Sequence, residues 1–210
     1  MKKVLVSMLC VVAMICLLSG CANEADKLVG DWVTEIDMTD IMNESVAELD
    51  MGEDDAFSDF VFALNLSFNE DGTYKMEVDV DKMEEMIETA QEELEALLVK
   101  YFEKLISDQK SNMTVDEVLK LSGTSLDTII AEFGLEDTCK EMAEEVFSEG
   151  AYDAKDGKLF TSDEKESDID EEEYELYTLD GDVLTITGCY PEMEVEDDIM
   201  DYPIVFKKKD

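Results

Sequence analysis

Runs of apolar residues at every second position, joined in three places by Asp-Gly, leave this chain few ways to fold. Trp32, Thr34, Ile36 and Met38 alternate with Val33, Glu35 and Asp37. Phe60, Phe62, Leu64, Leu66 and Phe68 form a second such row, and Tyr74, Met76, Val78 and Val80 a third. Successive side chains of a strand point to opposite faces, so each row reads as a strand with one buried face. Shorter candidates follow at about 151–155, 158–162, 173–179, 183–188 and 203–208, which makes eight strands. Asp71-Gly72, Asp156-Gly157 and Asp180-Gly181 supply the residues that tolerate positive φ in tight hairpins, and they fall between strands 2 and 3, 4 and 5, and 6 and 7. The other connections, 39–59, 81–149, 163–172 and 189–202, are long. In an up-and-down meander the two sets lie at opposite ends. The expected fold class is α+β, an eight-stranded antiparallel up-and-down barrel with an inserted helical subdomain.

The insert is legible from its own period. Met83, Met86, Ile87, Ala90, Leu94, Leu97, Leu98, Tyr101 and Leu105 fall at three- and four-residue steps, one face of a helix of roughly seven turns. Thr114 and Glu117 make a capping box for a short helix that Gly123 closes. Leu126, Ile129, Ile130 and Phe133 mark another helix, and Leu135, Cys139, Met142, Val146 and Phe147 a last one. Amphipathic helices must bury one side, here against each other or against the barrel mouth.

Residues 1–20 read as a secretory signal peptide, with Lys2 and Lys3 before an apolar stretch from Val4 to Leu18. That stretch is short for a membrane span. Leu18-Ser19-Gly20-Cys21 resembles the lipobox of bacterial lipoproteins. The resemblance implies diacylglyceryl transfer to the Cys21 thiol and cleavage before it. Residues 21–27 are then a lipidated Cys and a short tether, reaching about 20 Å when extended. Residues 28–80 and 150–210 form the barrel and 81–149 the helical insert. The expected location is the extracytoplasmic face of the cell membrane, with the lipid anchor as the membrane partner. An even number of strands ends the chain where it began, so Lys207, Lys208 and Lys209 are expected beside Lys27 as a membrane-facing basic patch. Each Lys near an anionic bilayer contributes about 1 kcal/mol.

Gly30-Asp31-Trp32 opens the first strand as Gly-x-Trp, and with the strand count the chain resembles the lipocalin-like, calycin-type barrels. The resemblance implies that Gly30 and Trp32 close one end and that the long connections surround a mouth leading to an apolar ligand cavity. It also implies an Arg of a late strand stacked over the Trp, and this chain has no Arg. Phe60, Phe62, Leu64, Leu66, Tyr74, Met76 and Val78 are the candidate cavity lining. The same residues serve equally well to fill an eight-stranded barrel solidly.

Composition narrows the function. The chain has neither His nor Arg, since its 16 basic residues are all Lys, and this excludes imidazole-based triads, imidazole metal sites and guanidinium clamps. A formal charge of −40 argues against nucleic acid as a partner. With 56 carboxylates no Asp/Glu pair stands out as a catalytic couple. No catalytic residue, enzyme activity, cofactor or metal site is expected. The acidic run 163–173 lacks the spacing of an EF-hand loop and reads as a solvated loop. Cys139 and Cys189 sit in connections at the same barrel end, so a disulfide between them is expected, worth about 2–4 kcal/mol. Two buried free thiols are the alternative. The expected function is that of a non-catalytic, monomeric, lipid-anchored protein that binds a small apolar or amphipathic ligand. The alternative is an acidic module that docks a basic extracytoplasmic protein or peptide.

Overall fold

The computed structural model describes residues 23–47, 51, 56–163, 169–191 and 202–209. Eight strands close into an antiparallel barrel in sequence order. They are β1 (Gly30–Asp37), β2 (Val61–Phe68), β3 (Thr73–Val78), β4 (Ser148–Lys155), β5 (Lys158–Ser162), β6 (Tyr174–Asp180), β7 (Val183–Tyr190) and β8 (Ile204–Lys208). Closure is made by β1, where Trp32 stands opposite Leu66 of β2 on one side and Lys208 of β8 on the other. A closed barrel leaves no strand edge unpaired. This is the architecture implied by the lipocalin-like resemblance.

The three Asp-Gly turns are all at one end. Gly72, Gly157 and Gly181 have φ of 81°, 73° and 60°, and Asp156 itself has φ of 56°. Two successive left-handed residues at Asp156-Gly157 match the right-handed twist of the strands they join. β4 begins at Ser148, earlier than the alternation predicts, and β7 runs through Tyr190, which places Cys189 inside a strand. At the rim, Gly150 lets β4 fold tightly onto β5, because a Cβ there would stand 1.6 Å from the Ser162 carbonyl oxygen.

Six helices are described: α1 (Glu24–Leu28), α2 (Thr39–Ala47), α3 (Val80–Asp108), α4 (Val115–Ser122), α5 (Leu126–Glu132) and α6 (Leu135–Val146). The last four are the expected insert. Asp79 caps α3 by accepting from the Lys82 backbone N–H, and Met83, Met86, Ile87, Ala90, Leu94, Leu97 and Leu98 form its buried face. Leu105 is exposed, so the end of α3 runs past the core it packs on. Thr114 and Glu117 make the capping box, and Gly123 ends α4 in the left-handed region.

α1 and α2 depart from expectation. The segment from Glu24, expected to be a tether, is instead a helical turn folded across the closed end of the barrel. Leu28 is fully buried there, and the Trp32 Nε1–H donates to its carbonyl oxygen at 2.7 Å. The Glu24 carboxylate accepts from the Gly157 backbone N–H at 3.1 Å, and the Tyr152 hydroxyl reaches the Ala25 carbonyl at 3.4 Å. Flanking charges hide this role, since α1 offers the barrel only Leu28 and Ala25 among Glu24, Asp26 and Lys27. α2 is pinned by buried Asn43, whose amide nitrogen donates to the Phe57 carbonyl and whose oxygen accepts from the Ala56 and Phe57 N–H groups.

The buried residues fall into two clusters. One closes the barrel floor, with Leu28, Trp32, Phe68, Tyr152 and Leu184. The other joins the helices to the barrel rim, with Phe57, Phe60, Val78, Leu94 and Cys139. Leu28→Ala is expected to lower stability by about 2–5 kcal/mol in urea unfolding and to red-shift the emission of Trp32, the single tryptophan. An unchanged midpoint and spectrum would mean that α1 does not hold the floor.

Candidate functional site

Between the floor and the helices the barrel interior is not filled. A cavity of about 440 Å³ lies inside it, walled by inward residues of β1 to β3 such as Ile36, Leu64, Leu66 and Tyr74. Leu159, Ile186 and Phe206 form the far wall, and Met142, Glu145 and Val146 of α6 border the mouth. Five of the expected lining residues are there: Phe62, Leu64, Leu66, Tyr74 and Met76. Phe60 and Val78 are not. Phe60 precedes β2 and packs edge-on to Phe57 and Phe62, at ring separations of 6.1 and 5.9 Å, in the helical core. Val78 ends β3 just ahead of α3 and joins the same core.

The cavity has few polar groups. The Tyr74 and Ser148 hydroxyls share a hydrogen bond of 2.6 Å. Tyr202 lies against Cys189, and its hydroxyl pKa is raised first by burial, then by its bond to Cys189 and by the charge of Glu175. Glu175 is different. It stands opposite Leu159 of β5 and Cys189 of β7 and faces into the cavity. Its carboxyl group has no hydrogen-bond or ion-pair partner among the described residues, and burial pushes its pKa up. No lysine lines the cavity among the described residues.

Nothing in composition singled out Glu175 among so many acids. The only available signal was register: Glu175, Tyr177 and Leu179 share one face of β6, and Tyr177 and Leu179 pack into the floor. The closure of the sheet, rather than the local pattern, turns that face inward.

Gly30 and Trp32 lie at the closed end, with Trp32 in the floor cluster. The Lys208 ammonium sits 5.2 Å from the centre of the Trp32 ring and donates to the Val29 carbonyl at 2.9 Å. A lysine thus takes the place where the resemblance implies an arginine. Gly30 permits the crossing, since it has φ of 135° and a Cβ would come within 2.7 Å of Lys208 Cε. Its φ also lies where side chains are strained. Lys207, Lys208 and Lys209 come to the same end as Lys27: the Lys209 N–H bonds the Asp31 carbonyl at 2.8 Å, and Val29 is two residues from Lys27.

The expected Cys139–Cys189 disulfide is not formed, and both thiols are free. The two side chains serve different surroundings. Cys139 is 1% exposed in the helical core, where burial pushes its thiol pKa up to about 11. Cys189 lies on β7 with its Sγ directed at the Pro191 carbonyl. Sharing a barrel end therefore did not aim them at each other. Cys21, the signal segment 1–20, residues 164–168 of the acidic run and the loop 192–201 lie outside the described residues.

No family model, curated protein or solved structure matches the chain.

Glu175 sets a pH dependence on the empty protein. A carboxyl whose folded pKa is raised binds its proton more tightly in the folded than in the unfolded state. Its stabilisation is therefore present below the unfolded value and is lost as pH rises through the folded one. Glu175→Gln removes this loss. The gain in Tm over wild type is expected to be largest at about pH 8 and to shrink toward about pH 5. A gain that does not vary with pH would show that the carboxyl is not buried as described.

Proposed function

We propose that this protein is a lipid-anchored, non-catalytic carrier of the lipocalin-like kind, holding a small apolar or amphipathic ligand in its barrel. The observation that carries this reading is the unfilled interior, about 440 Å³ and walled mainly by apolar side chains. Ligand pockets commonly measure about 300–1,000 Å³. An unfilled apolar space forfeits packing contacts that large side chains would otherwise make. A barrel lined by Phe62, Leu64, Leu66 and Phe206 with such a space between them is suited to a ligand that completes its core.

The anchor belongs to the same reading. Cys21 precedes α1 by three residues, and α1 lies across the closed end. A diacylglyceryl group on Cys21 would keep that end against the extracytoplasmic face of the membrane and direct the mouth away from it. Two acyl chains supply a stable anchorage where one does not. Lys27, Lys207 and Lys209 at that end add attraction for anionic headgroups.

Titration with the neutral fluorophore N-phenylnaphthylamine is expected to give a saturable rise in emission. Met76→Trp, which fills the cavity from β3, is expected to weaken binding by about tenfold or more with an unchanged far-UV spectrum. Equal binding by wild type and variant would place the probe elsewhere and overturn the reading. For the anchor, Cys21→Ala is expected to move the protein from the membrane fraction to the soluble fraction of its host. Retention in the membrane fraction would remove the lipid from the account.

A further inference from the structure

We propose that the ligand of this cavity is a cationic amphiphile, an amine on an alkyl or aralkyl chain whose ammonium group pairs with Glu175 while its apolar body fills the barrel. This inference rests on the carrier reading above and names the class of ligand for the same cavity. Three observations carry it.

The first is placement. Glu175 projects from β6 into a space otherwise walled by Leu159, Ile186 and Phe206. Glu175 is half-buried and its pKa is raised by desolvation, and a partly desolvated carboxylate is costly unless it is paired; among the described residues nothing pairs with this one. A ligand ammonium supplies the missing charge and hydrogen bonds, and its desolvation is offset in the same contact.

The second is what else faces the carboxyl group. β5 presents Leu159 and Thr161, β7 presents Cys189, the approach to β8 presents Tyr202, β3 presents Tyr74, and α6 presents Glu145 at the mouth. Among the described residues the one charged group in this set is an acid, Glu145. A fatty acid or other anion would meet Glu175 and Glu145, and among the described residues the cavity lining offers it no lysine as counter-charge.

The third is the field of the whole chain. A formal charge of −40 raises the local concentration of cations at a cleft in its surface and lowers that of anions. Entry and pairing thus select for the same sign. Apolar burial provides affinity for any ligand that fits, and Glu175 provides the preference among them.

The test is displacement of N-phenylnaphthylamine at about pH 8 by octylamine, octanol and octanoate, which share one chain and differ in head group. In the wild type, octylamine is expected to compete about 10- to 100-fold better than octanol, as a charge-assisted contact predicts, and octanoate worst. Glu175→Gln should bring octylamine to the level of octanol while leaving octanol and the fluorophore unchanged. Glu145→Gln should keep the preference. Lowering the pH should erase the advantage of octylamine in the wild type as Glu175 takes up its proton, and should not alter the variant. Equal competition by octylamine and octanol, a preference for octanoate, or an amine preference that survives Glu175→Gln would each overturn the inference and leave the carrier reading standing. If neither the fluorophore nor any of the three compounds binds the wild type, the carrier reading falls and the inference with it.

Discussion

The indole of Trp32 lies on the inner face of the barrel at its closed end, with its N–H bonded to the Leu28 carbonyl and the Lys208 ammonium beside its ring. A buried indole donor without a partner would be a liability, and satisfying it from α1 draws that helix across the opening. β1 and β8 meet at the same place, since Trp32 and Lys208 are partners in the register that closes the sheet. Closing the barrel and sealing its floor are therefore one arrangement. The remaining entrance is at the far end, where α6 borders the mouth. The eight hydrogen-bonded strands set the radius of the wall, so the space between floor and helices persists without large side chains to prop it open.

The parts of this structure legible in the sequence are those governed by short-range rules. Period-two rows gave the strands, Asp-Gly placed the hairpins, and the three-and-four spacing from Met83 to Leu98 gave the buried face of α3. Thr114 and Glu117 announced the start of α4 through chemistry confined to four residues. What escaped was decided by contacts distant in sequence. α1 carries too few apolar residues to register as amphipathic, and it is defined by Tyr152, Gly157 and Tyr177, more than a hundred positions away. Burial raises the Tyr177 hydroxyl pKa to about 12, with the nearby Glu24 carboxylate adding to it, so this anchoring donor stays protonated. Cys139 and Cys189 share an end of the molecule, yet adjacency of loops says nothing about the direction of two side chains. Phe60 and Val78 obey the alternation of their strands but sit where the strands leave the barrel, and there the helices claim them.

Glu175 belongs to this second group. On a solvent-facing strand its position would be ordinary, and the surrounding Tyr-Glu-Leu-Tyr pattern permits either face. A register shift between Leu176 and Tyr177 aligns Glu175 with Cys189 while Tyr177 stays opposite Ile186 of the floor. The extra residue is Thr187 of β7, so the bulge shifts which β7 residues stand beside Glu175 and leaves the alternation of β6 intact. Glu175 shares the inward face of Tyr177 and Leu179, and the result is an acid on an apolar wall whose raised pKa works against the empty protein at neutral pH. Sites that keep such a cost tend to be those where a ligand removes it.

The charge of the chain bears on the fold and on the site in opposite ways. Ion pairs among the described residues, such as Lys82 with Glu35 at 2.8 Å, Lys140 with Glu136 at 2.5 Å, and Lys75 with Glu77, are exposed. Pairs of that kind contribute little to stability. With 56 acids against 16 bases most carboxylates repel one another, so stability rests on apolar burial on either side of the cavity and on screening by salt. The same excess leaves a negative potential at the mouth, and Glu145 stands there with its carboxylate in solvent. The repulsion that works against the folded barrel is thus what concentrates cations at its entrance. Inside the barrel, where water screens less than at the surface, the half-buried Glu175 carboxylate carries the same sign of field to the apolar wall.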